Sequence, residues 1–360
     1  MLDWTLPYLT EDLPGVGGVI RQEIEDFIVE EVPAYEPCGE GEHTFFRVRK
    51  RDVPSMALLK EIARQLGVSR RKISCAGLKD ARAIAEQTFS AHFVPPERIM
   101  ALELENAEVL WAKLHTNKLR TGHLRGNRFT LRLREVVPDA AERAEAITQV
   151  LLARGVPNGY GRQRFGNYGD NAEIGLCLLR DDEAGLAEHG LRRYPSRRMH
   201  RFFISSLQSA LFNQVLARRI QAGTMADLLL GDIAKKEDTG GLFIVEDVAV
   251  ERPRVTAWEI SATGPIYGYK MFAPHDEAAA LEAEILAAAN LTPEEFRPVR
   301  AQGTRRPLRY YPDGLSYQME GEQTLVVSFF APKGAYATLL LRELMKADVD
   351  LDEDEEDEGE

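Results

Sequence analysis

The chain has 360 residues, 44% hydrophobic and 28% charged, with a net charge of −12 at pH 7; this length outgrows one hydrophobic core, so two domains of ordinary globular composition are expected. No apolar run reaches membrane-spanning length, no basic segment precedes the acidic opening Met1-Leu2-Asp3-Trp4, and a cytoplasmic protein with no membrane partner is expected. Cys38, Cys75 and Cys177 stand far apart and no CxxC or HExxH occurs, so neither a disulfide framework nor a zinc site is supported and no metal or cofactor is expected.

Residues 17–32 and 43–50 alternate apolar and polar residues, with Phe27, Val29, Phe46 and Val48 in phase, and read as half-buried strands. Pro54 opens a helix carrying Met56, Leu59, Ile62, Ala63 and Leu66 at helical spacing, and Gly67 closes it. A short strand at Ile73 and Cys75 follows, then Ala76-Gly77-Leu78-Lys79-Asp80-Ala81-Arg82, then an extended segment from Ile84 to Phe93. Gly77 lets the backbone turn sharply, and Asp80 between Lys79 and Arg82 suits a carboxylate displayed at the rim of a sheet. Taken alone, an Asp in such a turn most often bonds its own backbone.

From Lys113 to Arg134 the chain holds seven Lys or Arg residues, among them Lys118, Arg120 and Arg125, and no acid. Such a stretch is the expected footprint of a phosphate backbone, although an acidic protein partner would suit it too. Within it, Phe129, Leu131 and Leu133 alternate with Thr130, Arg132 and Arg134, predicting a strand with a basic outward face. A helix is predicted from Ala140 to Arg154, ended by Gly155 and Pro157. Further basic clusters are Arg64, Arg70, Arg71, Lys72 and Arg192, Arg193, Arg197, Arg198, His200, Arg201.

Ile204, Leu207, Leu211 and Val215 mark an amphipathic helix of about fifteen residues. Residues 223–275 read as Gly-rich and strand-like, and Glu277 to Asn290 as an Ala-rich helix. Gly264 to Lys270 lacks the spacing and hydroxyl of a phosphate-binding GxxxxGK[ST] loop, which excludes a nucleoside triphosphatase of that class. Leu325 to Phe330 is an apolar strand, and Tyr336 to Met345 a last helix. Strands and helices mix without a βαβ rhythm, so the fold class is α+β. Residues 348–360 hold ten acids and no base; without them the net charge is about −2, and this stretch is expected to be a solvated tail.

Four segments in order resemble the TruD family of tRNA pseudouridine synthases. They are Ala76-Gly77-Leu78-Lys79-Asp80; Gly155-Val156-Pro157-Asn158-Gly159-Tyr160-Gly161-Arg162-Gln163-Arg164-Phe165-Gly166; Ser206 to Leu216; and Ser328-Phe329-Phe330 through Leu344. The resemblance runs from about residue 15 to 346. It implies a pseudouridine-synthase-type catalytic domain, a mixed sheet with flanking helices, into which a family-specific domain is inserted. Residues 1–154 and 304–347 would form the catalytic domain and 155–303 the insertion. It also implies isomerisation of a tRNA uridine, uridine 13 in bacterial members, without cofactor, by a monomer with no obligate protein partner. Asp80 matches the catalytic carboxylate. Phe27, Asn127 and Phe329 match residues around the base, and Arg21 stands where the family often has Lys, placed to pair with Asp80. Arg fits such a partner more rigidly than Lys.

Lys118, Arg120, Arg125, Arg197 and Arg198 are the candidate RNA-binding cations. Gly159-Tyr160 departs from the family's Tyr-Phe, which leaves Tyr160, Gln163 and Arg164 as structural or RNA-facing residues. Asn213 and Gln214 suit a helix contact or RNA equally. Two other functions are compatible with parts of the pattern: a non-catalytic RNA-binding protein, and a carboxylate glycoside hydrolase using Glu30, Glu31, Glu40 or Glu42 as second carboxylate. Those glutamates have ready solvent-facing positions in the strand and turn pattern.

Overall fold

The structure, a computed structural model, describes residues 2–191 and 194–348. Arg192, Arg193 and the acidic stretch after Asp348 lie outside the described residues. Among the described residues, one unit comprises Gly15–Thr148 with Pro312–Ala337; the other comprises the chain up to Pro14, Gln149–Tyr311 and residues 338–348.

The first unit begins with β1 (Gly17–Ile20), β2 (Phe27–Pro33), β3 (His43–Arg51), α1 (Ser55–Leu66), β4 (Ile73–Cys75) and β5 (Ile84–His92). It continues with α2 (Pro96–Met100), β6 (Ala107–His115), β7 (Leu124–Val136) and most of α3 (Ala140–Arg154). The segment read as one strand over 17–32 is broken because Arg21 takes a left-handed φ of +61°. A 3-10 turn at Ile24–Asp26 follows, tied by reciprocal backbone and side-chain bonds of Glu23 and Asp26.

The second unit contributes β8 (Val156–Pro157), α4 (Asn171–Arg180), α5 (Glu183–Glu188), α6 (Arg197–Gln221), β9 (Ile233–Lys236) and β10 (Leu242–Ile244). After these come α7 (Val248–Thr256), β11 (Ile260–Ile266), α8 (Asp276–Ala288), β12 (Thr304–Pro307) and β13 (Arg309–Tyr310). The chain then returns to the first unit as β14 (Ser316–Met319) and β15 (Thr324–Pro332), and α9 (Ala337–Met345) follows, in the second unit from Thr338.

One sheet organises the first unit, in the order β14-β15-β7-β2-β5-β3-β6, with β1 beside β7 and β4 beside β5. β2 and β5 run parallel and their other pairings are antiparallel, so the α+β reading with a mixed sheet holds. α1 buries Leu58, Leu59, Ile62 and Leu66 against Phe46, Val48 and Phe89 of the sheet, as its apolar spacing predicts. The outward face of β7 is basic but largely neutralised: Arg134 meets the fully buried Asp26 at 2.8 Å, and Arg132 meets Glu320 at 2.8 Å.

In the second unit α6 has 25 residues rather than about fifteen. Its first two turns are dense in cations and carry little apolar signal, yet Ser196 caps them by accepting from the Met199 N–H, and Phe203 and Ile204 bury against Ile174, Leu178 and Leu186. The stretch read as strand-like also contains α7, which holds Pro253 within it and is capped by Asp247 on the Ala249 and Val250 N–H groups. Asn213 is fully buried. Its Oδ1 accepts from the Tyr160 N–H at 2.9 Å, and its Nδ2 donates to the carbonyls of Trp4 at 2.7 Å and Tyr160 at 2.9 Å. That assigns it to structure: Asn213→Ala is expected to destabilise the protein by about 3 kcal/mol by stranding these groups, measured as a shift of the urea unfolding midpoint. No helix among the described residues is long and apolar enough to cross a membrane.

Candidate active site

The segment from Ala76 to Arg82 leaves the sheet after β4 and returns as β5, and buried polar side chains fix its backbone. Gln87 of β5 donates to the Gly77 carbonyl and Lys50 of β3 to the Asp80 carbonyl. Lys50 also donates to the Val53 carbonyl at 2.7 Å. The Ser55 hydroxyl accepts from the Lys79 N–H at 3.0 Å and lies 3.1 Å from both the Lys79 carbonyl and Gln87 Oε1. Lys50, Gln87 and Ser55 are all buried. A loop held at residues 77, 79 and 80 spends little entropy on positioning its side chains when it acts.

Lys79 and Asp80 point to different partners. The Asp80 carboxylate, 26% exposed, lies 3.0 Å from the guanidinium of Arg21, which is 6% exposed. The left-handed turn at Arg21 aims that guanidinium across the Phe27 ring, 4.1 Å from its centroid. Lys79 turns inward, where its Nζ donates to Asn127 Oδ1 at 2.6 Å and meets Glu31 Oε2 at 3.3 Å. Glu31, Asn127 and Ala331 stand side by side across β2, β7 and β15. Gly126, next to Asn127, is required by the close approach of β15: a Cβ there would lie 2.1 Å from the Ala331 carbonyl oxygen.

Three aromatic rings lie along the same strands, on the same face as this row. Phe27 meets Phe129 edge-on at 5.9 Å, and Phe129 stacks with Phe329 at 5.4 Å. Phe27 and Phe329 are fully buried, so in this structure both rings are core. Cys75, near the loop, is no candidate nucleophile, since burial first and the Glu31 charge second raise its thiol pKa above the ordinary value. Among the described residues no group of His, Cys, Asp and Glu is arranged to hold a metal ion.

Arg21, Phe27, Asp80, Asn127 and Phe329 are thus brought into one connected set within the first unit. Lys118, Arg120 and Arg125 belong to the same unit, between β6 and the start of β7, with Arg120 and Arg125 exposed. Lys118 donates to the Arg71 carbonyl at 3.1 Å. Arg197 and Arg198 are exposed in the first turn of α6, in the other unit. One expectation is corrected: Glu31 is not solvent-facing but 1% exposed, in phase with Phe27 and Val29. Lys50, Ser55, Lys79, Gln87 and Phe129 were not singled out as site residues. Strand phase carried a signal for Lys50, which follows Phe46 and Val48 on the buried side of β3.

A model of the family described as tRNA pseudouridine synthase D (TruD) matches residues 4–193 and 187–344. The chain belongs to the TruD family. TruD-family relatives named tRNA pseudouridine synthase D agree: one from Thermus thermophilus is 47% identical, over 95% of this chain and 92% of its own. Another, from Geobacter sulfurreducens, is 40% identical over 94% of this chain and 96% of its own. The crystal structure of a Methanosarcina mazei protein assigned to TruD superposes with a TM-score of 0.80 at 26% identity, covering 95% of this chain and 96% of that one.

Proposed function

We propose that this TruD-family chain is a cytoplasmic tRNA pseudouridine synthase, an isomerase that converts uridine 13 of tRNA to pseudouridine with Asp80 as its catalytic carboxylate. The observation that carries the reading is Asp80 held at 3.0 Å on the Arg21 guanidinium, on a loop whose backbone is fixed by Lys50, Ser55 and Gln87.

The reaction breaks the bond from uracil N1 to ribose C1′, forms a bond from C5 to C1′, releases the C5 proton and leaves N1 protonated. No water needs activation, so a single carboxylate serves and the paired carboxylates of a glycosidase are unnecessary. Attack of Asp80 on C1′ and removal of the C2′ proton by Asp80 both use this one group. Arg21 acts as a positioning residue by holding that carboxylate through its charge. The Asn127 amide is within the same polar row and can bond the uracil edge, while Lys79 and Glu31 hold Asn127 and the loop together. Phe27 and Phe329 keep the floor of the site dry, which protects the detached uracil from side reactions. Direct contact of either ring with the base would require a neighbouring side chain to move aside. The base itself must leave its stack to reach Asp80.

An RNA partner is supported by Lys118, Arg120 and Arg125, and by Arg197 and Arg198 at the start of α6. Cations at a helix N-terminus oppose the helix dipole, and a phosphate there would relieve the conflict while positioning the RNA. The protein is read as a monomer with no obligate protein partner. Residues 155–303 are read as the family's inserted domain within a catalytic domain of 1–154 and 304–347. Of the four glutamates a hydrolase could use, Glu31 is buried on Lys79 and unsuited to activating water.

The reading is tested by incubating tRNA transcripts with the protein, modifying pseudouridine with a carbodiimide and mapping the stops of primer extension. A new stop one nucleotide 3′ of position 13, the signature of pseudouridine at 13, is the expected result. Stops at other positions would overturn the position, and the absence of any stop would overturn the activity.

A further inference from the structure

The second unit has an open cleft of about 110 Å³ that the proposed catalysis does not use. Trp4, Tyr160, Arg162, Thr338, Arg342 and Asp348 are among its lining residues. We infer that this cleft is a second anion subsite, built to hold a phosphate of the RNA backbone on Arg342 and the Thr338 hydroxyl. The inference rests on the proposed function, since it takes the substrate to be RNA.

Three features of the cleft converge on a phosphate. Thr338 is 6% exposed, and its Oγ1 has no hydrogen-bond partner among the described residues although it lines the cleft. A buried hydroxyl with nothing to bond is costly unless a ligand completes it. Gly161 leaves room beside that buried hydroxyl: a Cβ there would lie 3.2 Å from Thr338 Oγ1. Thr338 and Leu339 are in the first turn of α9, where N–H groups lack helical partners and the dipole favours an anion.

Arg342 is the third feature, and its present partners describe the ligand. Its Nη2 donates to the Leu6 carbonyl at 2.6 Å and its guanidinium stacks 3.8 Å above the Tyr8 ring, which fixes the group in place. Its Nε donates to the Asp348 carboxylate at 3.0 Å. Arg342 is 16% exposed, whereas Asp348 is 74% exposed. A fixed, half-buried guanidinium is therefore occupied by a solvated carboxylate, the first of the ten acids that end the sequence. An ion pair whose carboxylate is largely in solvent contributes little stability, so Asp348 is a readily exchanged stand-in for a stronger, multiply bonded anion. Arg suits phosphate for the same geometric reason.

The test is tRNA binding measured across a series of salt concentrations for the unaltered protein, Arg342→Gln, Thr338→Val and Asp348→Asn. Loss of one phosphate contact should reduce the slope of log affinity against log salt by about one in Arg342→Gln. Thr338→Val, which preserves shape, should weaken binding severalfold, and Asp348→Asn should strengthen it severalfold. Millimolar inorganic phosphate or uridine monophosphate should not displace the tRNA, because the subsite is one contact of many; displacement by either would identify a free small anion as the ligand and overturn the RNA assignment. Normal binding by the unaltered protein, with an unchanged slope in Arg342→Gln and unchanged affinity in Thr338→Val, overturns the subsite alone. Failure of the unaltered protein to bind any tRNA overturns the proposed function and the subsite with it.

Discussion

Lys79→Met is expected to lower the unfolding free energy by about 3–5 kcal/mol, the typical cost of removing one partner from a buried ion pair. Glu31 and Lys79 have side chains only 1% and 5% exposed. Without Lys79, the Glu31 carboxylate keeps the Thr88 N–H at 3.1 Å as its remaining hydrogen bond and sits uncompensated inside the sheet. The unfolding midpoint in urea reads the loss directly. The double variant Glu31→Leu with Lys79→Met should recover much of it, because two apolar side chains leave no stranded charge. A loss under about 1 kcal/mol for Lys79→Met, on the scale of an exposed pair, would contradict the burial assigned to this network.

Asp80→Asn is expected to slow pseudouridine formation by on the order of 10³-fold or more, as removal of an essential acid–base or nucleophilic group does. The substitution preserves shape and leaves the loop's backbone bonds to Lys50, Ser55 and Gln87 intact; it removes the charge facing the buried Arg21 guanidinium, so the melting temperature should fall while the folded protein keeps its tRNA affinity. Single-turnover rates at saturating protein separate the two effects. Residual activity within tenfold of the unaltered protein would remove Asp80 from its catalytic role.

The sheet was legible because β3 and β7 each present one buried and one polar face in the expected phase, and because β15 carries a continuous apolar run. Asp80 was legible through the motif that surrounds it, and the Arg21 pairing through its position in the family pattern. What stayed hidden depends on contacts between distant segments. A lysine or glutamate in a strand reads as solvent-facing until its partner is known, and Glu31 finds Lys79 far along the chain while Lys50 finds the Asp80 carbonyl at a separation of 30 residues. The length of α6 was hidden because packing and a serine cap, rather than apolar spacing, sustain its cationic first turns. For α7, Pro253 and a run of charges mask a helix that Asp247 starts. The pairing of Arg134 with the buried Asp26 is another such case, since sequence alone left the whole face of β7 free to meet RNA.

The most direct test of the central claim is tritium release from a tRNA transcript labelled at C5 of uridine. Pseudouridine formation must expel that hydrogen, whereas binding or hydrolysis of the glycosidic bond does not. Release by the unaltered protein, abolished in Asp80→Asn and unaccompanied by free uracil, is the predicted result. Equal release by Asp80→Asn, or free uracil without tritium release, would contradict the assignment of Asp80 as the catalytic carboxylate of an isomerase.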